Sequence, residues 1–436
     1  MHHRLATFSE PAISKRELEA ALELDPDRVP SLHALADLAV ENSDWRAVAM
    51  TSERIAALEL DPALQARNFY RAARAYSNQR DDKRAKDMIR RAVDADPASS
   101  DGMKSLIQLA RDTRFRDEAV DQISNAMRAR IQANPRDGIA YRTLSRALVL
   151  RREEIVTGTP PAARAAAELA ILFDAGEDAE RELCATTCLL DRTRLSGDSA
   201  DKALFAGASQ PELRQVLAAL GDVITKQIGP DPSVQSLGRK DRLSSRDPVY
   251  AIAREIATIF GIGAINVYVS SRPHGMLADP TPPISLVLGR LIAEGGAVNV
   301  RFATGAALKL AQLGLAVPTR LDIAELSVLC LGVVRIFQPL MTLRGSDERA
   351  SDLMAKLKRS IARPILDQLA PVAVRISEID MQGLARDLRV AGLRAGFAAA
   401  GSVLPGLDTL AAARGVDVSE VVLDPLARGL IAFALV

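Results

Sequence analysis

Small and apolar residues recur at helical spacing through the first part of the chain, with polar residues between them. Residues 66–99 show this most clearly, because an apolar stripe runs for four turns, breaks, and then resumes. The small side chains of Ala73 and Ala85 would allow two antiparallel helices to approach closely. Phe69 and Ile89 would fill the space between those helices. The pattern therefore predicts pairs of short antiparallel helices rather than one long helix.

The helical pattern repeats with a nearly constant period. Four steps from Asp or Asn to Pro lie 36, 35 and 38 residues apart, namely Asp25-Pro26, Asp61-Pro62, Asp96-Pro97 and Asn134-Pro135. We expect each proline to end a helix, because it lacks the N–H donor and clashes with the preceding turn. Together with the packing positions above, this period resembles that of tetratricopeptide repeats, and the resemblance covers about residues 15–155. It implies a solenoid of helix pairs whose first helices line a concave groove.

The groove positions of that family, transferred to this sequence, predict a peptide-binding groove of eight residues. They are Arg67, Tyr70 and Arg74 in the second unit, Lys104, Gln108 and Arg111 in the third, and Arg142 and Arg146 in the fourth. Guanidinium groups bind carboxylates bidentately, so the predicted ligand is an acidic peptide or the C-terminus of a protein partner. The alternative is that these arginines pair with Asp and Glu of neighbouring units, and the abundance of both charges leaves it open.

The overall charge gives the chain no general attraction for polyanions. Lys and Arg number 56 against 55 Asp and Glu, which leaves a net charge of +1. An electrostatic function must therefore come from a local patch. Few aromatic residues accompany the basic positions for stacking on bases, so we do not expect nucleic acid as a partner. The N-terminus lacks the apolar core of a signal peptide, and the apolar stretches are too short to span a membrane, which predicts a cytoplasmic protein.

Three cysteines are too few for a disulfide framework. Cys184 and Cys188 are spaced to share one helix face and could bind a metal or form a redox pair. No second Cys or His pair accompanies them, which favours a role as small buried residues.

The pattern changes after residue 155. Pro160 and Pro161 start a helical connector, predicted over residues 156–245. A stretch rich in turn-forming residues, 229–248, marks its end. Beyond it, the β-branched segments AINVYVS and PISLVLG predict two strands, separated by the long loop SRPHGMLADPTPP, and the rest is helical. The predicted fold is mainly α, with a repeat solenoid over 1–155, the connector, and a small α+β domain over 246–436.

The order of elements in this last domain resembles that of HExxH zinc metallopeptidases. An apolar strand and a loop with Pro-Pro precede SLVLG and the helix VRFATGAALKLA. In an active member this helix carries two histidines four residues apart, with a glutamate as general base. The corresponding positions here are about Ala306, Ala307 and Leu310, and the later segment 389–401 offers no acidic third ligand. The resemblance implies a degenerate peptidase, as in long bacterial tetratricopeptide proteins, so we expect no metal, no cofactor and no catalytic residue.

These patterns lead to one hypothesis and one alternative. The hypothesis is a non-enzymatic scaffold or adaptor that binds a protein partner through the basic groove. The alternative is a C-terminal cleft that holds a small ligand or retains a hydrolase or sensor activity, with His274 in a loop nearby. His274 could equally be a solvated loop residue. The chain ends on the apolar run LARGLIAFALV, which would suit docking either onto the C-terminal domain or onto a segment outside this sequence.

Overall fold

The computed structural model describes residues 11–96, 107, 111, 114–151, 158–186, 188, 195–238, 241–272, 274–342 and 347–436. Within these residues the chain forms 24 helices and one sheet of three strands. The prediction of a mainly α protein is therefore confirmed. The chain divides into two compact units, residues 1–186 (unit 1) and 187–436 (unit 2). This division falls within the stretch that we predicted as a connector.

The described part of unit 1 contains nine helices. They are α1 (Pro11–Leu24), α2 (Val29–Glu41), α3 (Trp45–Leu58), α4 (Pro62–Asn78), α5 (Asp82–Ala95), α6 (Arg116–Ala133), α7 (Gly138–Leu150), α8 (Pro161–Leu172) and α9 (Asp178–Ala185). Helices that follow each other in the chain pack on each other, α3 on α4, α4 on α5 and α7 on α8 among them. Such local packing is what pairs of short helices joined by tight turns produce.

Aspartate side chains begin several helices of unit 1. Asp44, Asp81 and Asp137 accept hydrogen bonds of 2.9–3.1 Å from backbone N–H groups in the first turns of α3, α5 and α7. Each bond satisfies a donor that has no partner within the helix. Asp61 caps α4 in the same way, and Pro62 is the first residue of that helix. Our expectation that Pro62 ends a helix is thus wrong, because proline is well tolerated where the N–H would have no helical partner.

Small side chains lie where α4 and α5 meet. Ala73 and Ala85 are both fully buried, as is Ile89, and Phe69 is nearly so. The hydroxyl of Tyr76, also on α4, donates a 2.7 Å hydrogen bond to Glu53 on α3. The apolar stripe recognised in residues 66–99 is therefore the surface by which α4 packs in unit 1.

The described part of unit 2 contains fifteen helices and three strands. The helices before the sheet are α10 (Asp198–Leu204), α11 (Pro211–Ala219), α12 (Gly221–Ile228), α13 (Pro232–Gln235) and α14 (Pro248–Ile259). The strands are β1 (Ile265–Ser270), β2 (Met276–Asp279) and β3 (Ile284–Gly289). The helices after the sheet are α15 (Arg290–Glu294), α16 (Ala297–Gln312), α17 (Ala316–Arg320), α18 (Ile323–Arg335), α19 (Asp347–Ser360), α20 (Arg363–Ala373), α21 (Met381–Ala400), α22 (Leu404–Arg414), α23 (Val418–Val421) and α24 (Pro425–Ala434).

The sheet has the strand order β1-β3-β2 and is mixed. β1 runs parallel to β3, with Ile265 opposite Ile284, and β2 runs antiparallel to β3, with Met276 opposite Leu288. The two predicted strands are β1 and β3. β2 lies within the segment that we predicted as a long loop, so that part of the prediction is wrong. Its sequence MLAD carries no β-branched residue, and it forms a strand because the exposed edge of β3 offers partners.

The packing of α16 against α21 is the centre of unit 2. Two glycines permit it. A Cβ at Gly305 of α16 would lie 2.5 Å from the Cβ of Ala399, and a Cβ at Gly396 of α21 would lie 2.8 Å from the carbonyl oxygen of Phe302. Both distances are far below van der Waals contact, so only glycine allows these two backbones to approach so closely.

The two cysteines that we paired by spacing lie in different places. α9 ends at Ala185, and Cys188 follows that end and belongs to unit 2, so the shared helix face is wrong. Both cysteines are half-buried, and burial raises the pKa of Cys184 to about 11. A thiol with that pKa is protonated and unreactive at neutral pH.

The longest apolar segment of the sequence forms α18, a helix of 13 residues that ends at Arg335. None of the helices in the described part of the chain combines the length and the apolar character needed to cross a membrane.

Candidate functional site

The structure places the predicted groove residues in three different settings. Lys104 and Gln108 lie outside the described residues. Arg111 is an exposed residue in a turn. The others belong to α4 and α7, and the two helices treat their arginines differently.

A groove of about 550 Å³ runs along α4, and we call it the α4 groove. One wall is a stripe of polar side chains on α4, formed by Arg67, Tyr70, Arg71, Arg74 and Asn78. These positions are three and four residues apart, so they share one face of the helix. The opposite wall comes from α2 and α3, whose contributions include His33, Asp37, Trp45 and Val48.

The α4 groove holds two arginines without a partner among the described residues, and we call such arginines open. Arg67 and Arg74 are exposed, and neither makes a hydrogen bond or an ion pair with any residue in the described part of the chain. Arg71 lies between them and is neutralised by Asp37, with 2.6 Å from Nη2 to Oδ1. Glu59 also lines the groove and tempers its positive charge. Arg67 and Arg74 are two helical turns apart, about 10 Å along the helix axis.

Tyr70 lies between the two open arginines and is 1% exposed. Its hydroxyl is buried and has no hydrogen-bond partner among the described residues. Burial raises the pKa of this phenol, and the charge of Asp96 adds to the effect, so Tyr70 stays protonated. The hydroxyl oxygen is itself inaccessible, so it lies beneath the surface of the α4 groove.

The arginines of α7 form ion pairs with carboxylates instead, and we call such arginines closed. Arg142 donates to Glu177 at 2.5 Å and to the carbonyl oxygen of Ala175. Arg146 binds Glu177 at 2.8 Å through Nη2 and Glu180 at 2.8 Å through Nε. Hydrogen bonds to Glu180 raise the pKa of Arg146, and those to Arg146 lower the pKa of Glu177. The alternative that we left open, pairing with acids of neighbouring helices, describes these two arginines.

In unit 2 a cavity of about 220 Å³ lies between α16, α17, α21, α22 and the strand β2, and we call it the apolar cavity. Its lining includes Ala306, Ala307 and Leu310, the positions that we compared with the metal-binding helix of the peptidases. Arg389 and Gly392 of α21 line it as well. Most of the lining side chains are apolar, and the polar ones belong to two threonines and two arginines.

One of the two arginines at the apolar cavity is closed. Arg320 donates from Nη1 to Asp279 at 2.9 Å and from Nη2 to the carbonyl oxygen of Gly229 at 2.6 Å. Asp279 also accepts from the backbone N–H groups of Asp231 and Thr281. Burial alone would raise the pKa of Asp279, but hydrogen bonds from Thr281 and Asp231 and the charge of Arg320 outweigh it and hold the pKa below its ordinary value.

The other arginine is open. Arg389 is exposed on α21 and makes no hydrogen bond or ion pair with any residue that the structure describes. The sequence did not single it out, because its place beside the cavity depends on how the helices pack. Asn78 was also missed, although its place four residues after Arg74 was a signal that could have found it.

His274 is half-buried and lines a separate cavity of about 390 Å³, together with Asn299 and Asp408. Desolvation raises the pKa of Asp408, whereas His274 acts to lower it. Of the polar side chains at this cavity, neither His274 nor Asn299 donates to a described residue. The predicted position of His274 beside a cleft agrees with this placement.

Within the described part of the chain, no three His, Cys, Asp or Glu side chains lie close enough together to hold a metal ion. A scan against protein-family models and a search of curated proteins found no match to this chain.

Proposed function

We propose that this protein is a non-enzymatic scaffold that binds an acidic segment of a protein partner in the α4 groove. In this proposal unit 1 contains a solenoid of the tetratricopeptide type. Unit 2 contains an α+β domain related to a peptidase that has lost its metal ligands, and the protein acts in the cytoplasm. The observation that carries the proposal is the pair of open arginines, two turns apart on one helix face.

The first step concerns charge. Arg67 and Arg74 offer two guanidinium groups whose donors are not used by the described protein, and the neighbouring Arg71 is already neutralised by Asp37. Carboxylates are the natural partners of such groups, because the planar fork of donors matches both oxygens. The groove therefore favours a ligand with negative charge at two points.

The second step concerns spacing. The two arginines are about 10 Å apart along α4, and a peptide in the polyproline II conformation rises about 3.1 Å per residue and brings every third side chain to the same face. Two carboxylates about three residues apart would reach both guanidinium groups. A C-terminal carboxylate with an acidic side chain three residues earlier meets the same requirement.

The third step concerns the peptide backbone. Asn78 offers an exposed amide one turn beyond Arg74 on the same face of α4. This amide can bond the carbonyl and N–H groups of a peptide next to one of its acidic residues. The groove thus supplies positive charge at two points and a neutral amide beside the second.

The test is a titration of the full chain with a fluorescein-labelled peptide that carries glutamate at every third position and a free C-terminus. Fluorescence anisotropy reports binding, and the same peptide with glutamine in place of glutamate is the ligand control. We expect a dissociation constant on the order of micromolar for the acidic peptide. The double variant Arg67→Glu/Arg74→Glu should weaken binding about 100-fold or more, since it removes two charge-assisted contacts.

The matched control is Arg16→Glu/Arg46→Glu, which changes the net charge equally at two exposed arginines outside the groove. It should bind the peptide like the unaltered protein. Equal losses in both variants would mean that bulk charge attracts the peptide, and absence of saturable binding would contradict the proposed ligand class.

A further inference from the structure

We propose that the apolar cavity of unit 2 binds a medium-chain carboxylate, with the alkyl chain between α16 and α21 and the carboxylate on Arg389. This site is separate from the α4 groove, and the inference rests on unit 2 alone. The peptidase resemblance would put a metal ion at this place, whereas the ligand proposed here is an anion.

The wall of the cavity sets the nature of most of the ligand. Apart from two threonines and two arginines, the described lining residues are apolar or glycine, among them Met276, Ala307 and Leu310. Gly392 allows Leu310 to approach α21 closely, because a Cβ there would lie 3.0 Å from Leu310 Cδ1. Apolar lining of this kind favours hydrocarbon over water, so burying an alkyl chain against it is favourable.

The polar groups of the cavity set the charge of the ligand. The hydroxyls of Thr319 and Thr409 donate to the backbone carbonyl oxygens of Leu315 and Pro405, at 2.7 and 2.8 Å, so neither has a proton left for a ligand. Arg320 is committed to Asp279. The open donor at the cavity is the guanidinium of Arg389.

No Asp or Glu is among the described residues that line the apolar cavity. A cationic head group would therefore meet Arg389 without any compensating acid and be repelled. A neutral alcohol could use the cavity but would gain less from the guanidinium than a carboxylate, which accepts two hydrogen bonds from a charged donor. The geometry consequently selects a monoanion with an apolar chain.

The volume sets the length of the chain. An apolar cavity of about 150 Å³ holds the six carbons of benzene, so by proportion about nine carbons fit in the volume found here. Octanoate is a suitable probe. Longer chains would have to leave the cavity at the mouth.

The test is isothermal titration calorimetry of the full chain with octanoate, with octan-1-ol as the neutral ligand of equal length. We expect one octanoate per chain, a negative heat-capacity change from burial of the chain, and at least about tenfold weaker binding of octan-1-ol. Arg389→Leu should bring octanoate down to the affinity of octan-1-ol. Arg428→Leu removes an exposed arginine of α24 that does not line the cavity, and it should leave octanoate binding unchanged.

Ala307→Leu fills the cavity from α16 and should abolish binding of both ligands, with circular dichroism and thermal unfolding as the check on folding. Ala307→Val is the smaller substitution to use if the leucine variant does not fold. The proposal is overturned if octanoate shows no saturable binding, or if it binds the cavity-filled variant as well as the unaltered protein. Equal affinity of Arg389→Leu and the unaltered protein for octanoate would also overturn it.

Discussion

Unit 1 uses arginine in two opposite ways within one chain of packed helices. On α7, Arg146 gives its donors to the buried carboxylate of Glu180, and a second acid, Glu177, completes the cluster. On α4, Arg67 and Arg74 have no partner among the described residues. The first arrangement ties α7 to α9, whereas the second leaves two cations available for a ligand.

Unit 2 shows the same contrast around the apolar cavity. Arg320 is closed by Asp279, which is 1% exposed and accepts from two backbone N–H groups as well. Arg389 on the facing helix is open. A basic residue beside a cavity is therefore not by itself a binding residue. Closed arginines should matter for stability and open ones for binding, and mutations can separate the two.

The largest effect on stability should come from breaking the ion pair of Arg320 and Asp279 in unit 2. Asp279→Ala leaves Arg320 and the N–H groups of Asp231 and Thr281 facing a gap, and we expect a loss of about 3–5 kcal/mol in the free energy of unfolding. Urea denaturation followed by circular dichroism measures it. Asp367→Ala removes an exposed carboxylate on α20 and should change stability by less than about 0.5 kcal/mol. A loss of similar size in both variants would contradict the distinction.

The same carboxylate gives a pH dependence. Interactions hold the pKa of Asp279 below its ordinary value of 3.8 in the folded protein, so its contribution is present above about pH 4 and is lost as the pH falls through the folded pKa. The stability gap between the unaltered protein and Asp279→Asn should therefore narrow below about pH 4. Thermal unfolding of both proteins between pH 2.5 and 7 tests this. A difference in stability that stays constant down to the lowest pH would show that the charge of Asp279 does not stabilise the folded protein.

The next effect should come from the closed cluster of unit 1. Glu180 is fully buried and accepts from Arg146 and from the N–H of Glu177. Glu180→Ala should cost about 2–3 kcal/mol, less than the loss at Asp279, because Arg146 is partly exposed and can turn towards water. Glu182→Ala on the same helix removes an exposed acid and serves as the control. Binding of the acidic peptide should be unaffected, and a parallel loss of binding would argue against separate roles.

Features that depend on neighbouring residues in the sequence can be predicted from it, whereas features that depend on residues far apart in the sequence cannot. Arg67, Tyr70 and Arg74 were predicted from the resemblance to tetratricopeptide repeats, and their spacing of three and four residues puts them on one face of α4. The strands β1 and β3 are likewise evident from β-branched runs. β2 is not, because four residues without β-branching become a strand only when β3 lies beside them.

The sequence does not show which arginines form ion pairs with carboxylates. Arg146 and Glu180 are 34 residues apart, and nothing in their neighbourhood distinguishes Arg146 from Arg74. Which arginine meets a carboxylate is decided by how α7, α8 and α9 pack. The apolar cavity is beyond the sequence for the same reason, since it depends on the close approach of α16 and α21 at Gly396.

The smallest effect gives the sharpest contrast between the open and closed sites, because it changes a single hydroxyl. Tyr70→Phe removes an oxygen that is buried without a partner in the described protein, so the free energy of unfolding should stay the same or rise by up to about 1 kcal/mol. Affinity for the acidic peptide should stay unchanged, because this oxygen is not accessible from the groove.

The matched variant is Tyr141→Phe on α7. Its hydroxyl is equally buried but donates to the carbonyl oxygen of Pro135 at 3.1 Å, so its loss should lower stability by about 1 kcal/mol and leave peptide binding unchanged. The two phenylalanine variants should therefore differ in stability and agree in peptide binding. If Tyr70→Phe instead destabilised the free protein as much as Tyr141→Phe, the hydroxyl of Tyr70 would have a partner within the fold.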